Sequence, residues 1–86
     1  MSTEIRRTTY LRFDLIPTPE RKTKVVLVHS IRQGYEPLGV IRWFGRWRQY
    51  VFEPEPGAVF NPDCMDAINA VIRSLMAERR QAVEIR

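Results

Sequence analysis

Two stretches in the first part of the chain alternate apolar and polar positions in the manner of β-strands. Residues 8–15 place Leu11, Phe13 and Leu15 on one side of such a strand and polar side chains on the other. Residues 24–31 carry β-branched residues on both sides, which is typical of a strand inside a sheet. The pattern therefore predicts two strands, the second in an interior position, joined by a proline-containing loop.

A hairpin pattern follows, in which aromatic and aliphatic residues are interleaved with arginine. Gly45-Arg46 predicts a two-residue type II′ turn, because that turn takes glycine at its first central position. The flanking strands are expected at about 38–44 and 47–53, and counting outward assigns each residue to a face. One face then carries Ile41, Trp43, Arg48, Tyr50 and Phe52, and the other carries Val40, Arg42, Phe44, Trp47, Gln49 and Val51.

The last third of the chain predicts one helix. Asn61 is a favoured N-cap, Pro62 suits the first helical position, and Asp63 suits the positive end of the helix dipole. We expect a helix over about 62–80, followed by a fraying tail over 81–86. Its apolar stripe consists of Met65, Ile68, Val71, Ile72 and Leu75.

Together these elements predict one α+β domain over residues 1–86. It is an antiparallel meander of three to four strands, with one C-terminal helix packed on one sheet face. The helix stripe requires an apolar face, and the hairpin side that contains Trp43 and Tyr50 fits it best. We expect Gly39 to leave room for the Phe52 ring, and Arg48 to stack its guanidinium on the Trp43 indole.

Length and composition are compatible with this small domain. Leu, Ile, Val and Phe make up 24 of the 86 residues, which is above the roughly 20% level at which disorder becomes the default. The single cysteine excludes an intramolecular disulfide and fits a reducing compartment. No apolar run resembles a signal peptide or a membrane span. We therefore expect a cytoplasmic protein.

The formal net charge of +4 is unevenly distributed. Residues 1–24 and 25–52 each carry a net charge of +3, whereas residues 53–86 carry −2. A basic sheet region can attract a polyanion. However, twelve of the fourteen basic residues are arginine, which the codon bias of a GC-rich genome would also produce. The charge therefore leaves the kind of partner open.

The reverse face of the hairpin is the candidate site, because the helix would leave it uncovered. Exposed aromatic residues interleaved with arginine suit a protein hot spot, and they also suit base stacking with phosphate contact. The structural alternative is that the N-terminal strand, the loop at 32–37 or a second copy of the chain covers this face. The candidate binding residues are Arg42, Phe44, Trp47 and Gln49, with Arg12 and Arg46 expected nearby.

No set of residues predicts catalysis or metal binding. Cys64 is expected to be a small buried residue in the first turn of the helix, and His29 a structural or surface residue of a strand. One histidine and one cysteine cannot form a closed zinc site, and no nucleophile-and-base set or phosphate loop is present. No cofactor, metal or small-molecule substrate is expected.

From Leu38 to Leu75 the sequence resembles a group of small uncharacterised proteins of bacteria, phages and prophages. The shared positions are Trp43, Gly45-Arg46, Trp47-Arg48, Tyr50, Phe52, Pro54, Phe60 and Cys64. Phe44 departs from the group, which often has tyrosine there. The layout is also similar to DNA-binding modules of plant transcription factors and some phage integrases, which place a three-stranded sheet in the major groove.

These observations predict a small non-enzymatic binding module. Protein–protein interaction through the open face, with a host protein or with a second copy, is narrowly favoured. The alternative is a nucleic-acid-binding sheet module of the three-strand-plus-helix type. No membrane partner is expected.

Overall fold

The computed structural model describes residues 2–32 and 34–84, with side chains as far as Gln81. Each strand pairs antiparallel with the next along the chain, which forms a five-stranded meander that is followed by one helix. The elements are β1 (Thr3–Arg7), β2 (Leu11–Ile16), β3 (Val25–Ser30), β4 (Pro37–Phe44), β5 (Gln49–Pro54) and α1 (Pro62–Glu84).

The N-terminal strand β1 is the element that the sequence pattern does not predict, so the expected three to four strands become five. Every β1 residue is exposed, and the register against β2 shifts between Glu4 and Arg6. Without an apolar alternation, the strand leaves no periodic signal. The predicted strand at 8–15 starts at Leu11 instead, because Thr8 turns the chain and its Oγ1 accepts a hydrogen bond from the Leu11 N–H at 3.1 Å.

Strand β3 lies in the middle of the sheet, between β2 and β4, as its two apolar sides predicted. Val26 and Val28 are fully buried on the side that faces α1. Val25 and Leu27 are half-buried on the other side. In the loop that follows, Gly34 adopts a positive φ of 67°, while Gln33 lies outside the described residues.

The hairpin turn spans four residues, 45–48, and the prediction of a two-residue turn is wrong. The Trp47 N–H donates to the Phe44 carbonyl oxygen at 3.2 Å, and the Arg48 N–H donates to the Gly45 carbonyl oxygen at 3.2 Å. Arg48 has a φ of 54°, in the left-handed region. Such a conformation is typical of longer hairpin loops that are built around a tight turn.

The longer turn shifts the hairpin register by two residues. Phe44 pairs with Gln49 and Trp43 pairs with Tyr50, whereas the two-residue turn predicted Gln49 opposite Arg42. Since side chains alternate with a period of two, the shift leaves the residues of both strands on their predicted faces. Trp47 and Arg48, by contrast, lie in the turn and not in the predicted strand, and the predicted stacking of Arg48 on Trp43 is wrong.

Helix α1 begins at Pro62 and has the predicted cap, since Asn61 Oδ1 accepts a hydrogen bond from the Cys64 N–H at 2.8 Å. It continues to Glu84, about one turn beyond the predicted end, and the last two residues of the predicted tail lie outside the described residues. In the first turn, Cys64 is buried and Met65 is exposed. The apolar stripe therefore begins one residue earlier than predicted.

The core lies between α1 and one face of the sheet. The helix contributes Ile68, Val71 and Leu75, each of them buried. The sheet contributes Leu11, Phe13, Val26, Val28, Ile41 and Tyr50. The core thus spans four strands and one side of the helix, and within residues 2–32 and 34–84 no helix covers the opposite sheet face.

Gly39 is required by close packing. A β-carbon on this residue would lie 2.6 Å from atoms of the Phe52 ring and 2.6 Å from the Glu53 carbonyl oxygen. The prediction that Gly39 makes room for the Phe52 ring is confirmed. The ring reaches Gly39 diagonally, because the residue directly opposite Gly39 is Pro54.

Within residues 2–32 and 34–84, no helix has both the length and the apolarity needed to cross a bilayer.

Candidate functional site

The two faces of the β4–β5 hairpin have different environments. Tyr50 is buried under α1, and its hydroxyl accepts a hydrogen bond from the Lys24 N–H at 3.0 Å. The Arg79 guanidinium of α1 lies 4.1 Å from the centre of the Trp43 ring, in the place that was predicted for Arg48. The face with Trp43 and Tyr50 is therefore structural, as predicted.

The opposite sheet face, which we call the open face, has aromatic residues at its end. Phe44 is half-buried, and its ring meets the Trp47 indole edge to face, with 5.0 Å between ring centroids and 83° between ring planes. Trp47 nevertheless remains 65% exposed. Gln49 pairs with Phe44 and is also exposed. The structure thus brings three of the six candidate residues together.

Arg42 also lies on the open face, but its charge is neutralised. The guanidinium donates two hydrogen bonds to the Glu53 carboxylate, at 2.5 and 2.8 Å. This hydrogen-bonded pairing holds the pKa of Glu53 below its ordinary value and raises the pKa of Arg42. Arg42 can shape the surface, but a ligand phosphate would have to displace Glu53.

Arg12 lies on the open face at the far end from the aromatic residues. It pairs with His29, which pairs with Pro37 at the start of β4, whereas Phe44 ends that strand. Seven residues of extended strand correspond to about 23 Å. The structure therefore does not bring Arg12 to Trp47.

The Arg12 guanidinium belongs to a separate charged cluster. Its Nε lies 3.0 Å from Asp14 Oδ1 and 3.3 Å from Glu4 Oε1, and the Tyr35 ring stacks 5.5 Å away. Asp14 is buried, and its other carboxylate oxygen lies 3.5 Å from His29 Nδ1. Two carboxylates therefore surround Arg12 and compensate its charge.

Arg46 occupies the turn itself. It is exposed, as is Arg48 two residues later, and neither forms an ion pair within the part of the chain that the structure describes. Unlike Arg42 and Arg12, these two arginines retain an uncompensated positive charge.

Half-buried aliphatic residues occupy neighbouring positions on four strands of the open face, and we call this set the apolar band. Ile16 pairs with Val25, Leu27 pairs with Val40, and neighbouring members follow each other along β3. The sequence pattern placed Val40 and Val51 on the reverse face of the hairpin, but it did not assign the side of Val25 and Leu27 as the outer one and it placed Ile16 beyond the first strand. The signal that could have identified them is the apolar outer side of β3. The band consists of Ile16, Val25, Leu27, Val40 and Val51.

Cys64 is buried in the first turn of α1, as expected of a small structural residue. Among the residues that the structure describes, no group of three or more His, Cys, Asp or Glu side chains could hold a metal ion.

Comparison with known proteins gives one informative match. The chain is 35% identical over 78 residues to the uncharacterised 9.3 kDa protein of Acholeplasma phage L2. The aligned region covers 91% of this chain and 99% of the phage protein, so the two correspond over nearly their whole lengths. No protein-family model and no solved structure matches the chain. The match agrees with the expected resemblance to small uncharacterised phage proteins.

Proposed function

Since the chain belongs to the same family as the uncharacterised 9.3 kDa protein of Acholeplasma phage L2, whose name assigns no activity, we propose a function from the open face. The protein is a non-enzymatic module that binds another protein through this face.

The observation that carries this proposal is the apolar outer side of the central strand. An antiparallel sheet with one face in water usually alternates apolar core residues with polar outer residues. Val25 and Leu27 depart from that rule on β3, and Val40 on β4 lies directly opposite Leu27. Val51 on β5 lies diagonally from Val40, next to the Arg42–Glu53 ion pair. Contiguous apolar surface of this kind is typical of a face that is covered by a partner.

The aromatic pair of Phe44 and Trp47 adds an anchor at the end of the band. Tryptophan, tyrosine and arginine are enriched among the residues that dominate binding energies. The Trp47 indole already contacts Phe44 in the chain alone, and a contact of this kind reduces the side-chain freedom that binding would cost. Gln49 beside it supplies hydrogen-bonding groups at the rim.

The charges of the open face indicate the chemistry of the partner. Arg42 is paired with Glu53, and Arg12 is paired with Asp14 and Glu4. A face whose charges are paired internally suits an apolar, nearly neutral protein patch. It is poorly suited to the phosphates of a nucleic acid laid across the sheet. A host or phage protein can supply such a patch, and so can the open face of a second copy.

The sheet edges favour an approach to the face over extension of the sheet. On β5, the Tyr50 N–H donates to Met76 Sδ at 3.4 Å, and Pro54 has no N–H to donate. On β1, the register shift after Glu4 and the exposed Arg6 and Arg7 disfavour pairing with another strand.

Site-specific photo-cross-linking tests the proposal in the cells that normally contain the protein. A photoreactive amino acid replaces Gln49 on the open face in one variant and Asn69 on the exposed side of α1 in the matched control. We expect a discrete protein adduct from position 49 and none from position 69. The adduct mass separates a second copy from another protein. Adducts from both positions, or from neither, would contradict the proposal.

A further inference from the structure

Three separate segments meet at one end of the molecule, which we call the basic end. The loop over 17–24 and the turn over 45–48 lie at the same end of the sheet, because the successive strands β2 to β5 are antiparallel. The last turns of α1 join them, since Lys24 Nζ lies 2.5 Å from Glu78 Oε1 and Arg79 covers Trp43. The basic end is therefore a defined surface that no single stretch of sequence forms.

The basic end carries half of the basic side chains of the protein. Among residues whose side chains the structure describes, the acidic members of this end are Glu20 and Glu78, and Glu78 is paired with Lys24. Seven basic side chains accompany these two, which gives the described set a net charge of +5. The seven are Arg21, Lys22, Lys24, Arg46, Arg48, Arg79 and Arg80.

Five of the seven basic residues are exposed and form no ion pair within the described residues. They are Arg21, Lys22, Arg46, Arg48 and Arg80. On the open face, by contrast, Arg12 and Arg42 are paired with carboxylates. Uncompensated positive charge at this density is typical of a surface that binds a polyanion.

The exposed Trp47 indicates which polyanion fits. It lies between Arg46 and Arg48 in the turn and is 65% exposed. The bases of a single strand are free to stack on an aromatic ring while their phosphates contact neighbouring arginines. In a duplex the base faces are already stacked on each other, so the ring would remain unused.

We propose that the basic end binds single-stranded nucleic acid, with Arg46 and Arg48 on phosphates and Trp47 stacked on a base. This surface adjoins the apolar band and shares Trp47 with the open face, whereas Arg46 and Arg48 belong to the basic end alone. Variants of these two arginines therefore test nucleic-acid binding separately from the protein-binding role of the open face. This mode of contact differs from that of the DNA-binding modules with a similar layout. Here the phosphates contact the end of the hairpin and not the face of the sheet.

Fluorescence anisotropy tests the proposal. The labelled ligands are 15-nucleotide oligo(dT) and oligo(U), and the competitors are a 15-base-pair duplex and anionic phospholipid vesicles. One phosphate contact for each of the five unpaired basic residues predicts a slope of about −3.5 in log K against log salt. This slope corresponds to about a 100-fold loss of affinity between 50 and 200 mM salt. The two oligonucleotides distinguish DNA from RNA. Absence of binding at 50 mM salt, tighter binding to the duplex, or displacement by vesicles at lower concentration than by unlabelled oligonucleotide would overturn it.

Charge-matched variants locate the site. Arg46→Gln with Arg48→Gln should weaken binding about 20-fold at 0.1 M salt and make the salt slope less negative by about 1.4. Arg32→Gln with Arg73→Gln removes the same charge away from the basic end and should change binding less than threefold. Equal losses in the two double variants would indicate diffuse attraction and overturn the site. The yield of the protein cross-link at position 49 should be unchanged in the Arg46/Arg48 double variant. This result would distinguish a loss of nucleic-acid binding from a loss of protein binding.

In a Trp43→Phe background, Trp47 is the single tryptophan, and its emission should be quenched when oligonucleotide binds. Unchanged emission at saturation would contradict stacking on this ring. Competition by a polyglutamate peptide that exceeds competition by unlabelled oligonucleotide would assign the surface to an acidic protein instead.

Discussion

Trp43 and Trp47 stand four residues apart in the chain, but Trp43 lies on the sheet face under α1 and Trp47 lies in the turn, against Phe44 of the open face. Trp43 packs between the Tyr50 ring, 5.3 Å away, and the Arg79 guanidinium, and it adjoins the core. Trp47 is 65% exposed beside Phe44. One tryptophan therefore stabilises the fold, and the other is available to a partner.

This division predicts unequal effects on stability. Trp43→Ala should lower the free energy of unfolding by about 2–4 kcal/mol, because it removes a ring packed on the core. Trp47→Ala should lower it by less than about 1 kcal/mol, since only an exposed aromatic contact is lost. Urea denaturation of both variants measures the difference. Equal losses would show that Trp47 is also structural.

Gly39→Ala should be strongly destabilising for its size. The new β-carbon would meet both the Phe52 ring and the Glu53 carbonyl oxygen at 2.6 Å, and the backbone atom cannot move without disturbing the β4–β5 pairing. We expect a loss of about 1–3 kcal/mol. Gly45→Ala is the matched control, because the nearest atom to its β-carbon would be 3.9 Å away. A Gly39 variant as stable as the Gly45 variant would contradict this packing.

Arg48→Gly should stabilise the hairpin by about 0.5–1 kcal/mol. Arg48 has a φ of 54°, which costs a residue with a β-carbon more than it costs glycine. Arg46→Gly, at a neighbouring turn position without a positive φ, should instead be neutral or slightly destabilising. Thermal unfolding of the two variants compares them directly. If Arg48→Gly lost as much stability as Arg46→Gly, the four-residue turn would be wrong.

The ion pair on the open face predicts a pH dependence. Arg42 lowers the pKa of Glu53 below its ordinary value of 4.5, chiefly by hydrogen bonding. The contribution of the pair to stability is therefore complete above pH 4.5 and is lost as the pH falls through the lowered pKa. In a carbon-13 NMR titration, Arg42→Gln should return the Glu53 pKa toward 4.5. Arg73→Gln, which is distant from Glu53, is the control and should leave the Glu53 pKa unchanged. If Arg42→Gln also left the Glu53 pKa unchanged, the pairing would be refuted.

Local chemistry was sufficient to predict some of the fold. Asn61 caps the helix through a contact three residues away, and the period of two assigns the hairpin residues to faces whether the turn has two residues or four. Strand β1 could not be predicted, because all five of its residues are exposed and its placement depends on pairing with β2.

The candidate site was predictable only in part, for a similar reason. Phe44, Trp47 and Gln49 are neighbours within one hairpin, so their association follows from local sequence. The ion pair of Arg12 with Glu4 depends on the pairing of β1 with β2, and the grouping of Arg46 with Arg21 depends on strand order. Contacts between distant segments decide which arginines remain available, and sequence periodicity contains no information about them.

The most direct test of the open face as a docking surface is a binding titration with Trp47→Ala. The titrant is the protein recovered from the position-49 adduct, or a second copy of the chain if the adduct is a dimer. We predict an affinity about 30-fold lower than that of the unmodified protein, as expected for a hot-spot residue worth about 2 kcal/mol, with the stability of the variant nearly unchanged. An affinity within twofold of the unmodified protein would contradict the account.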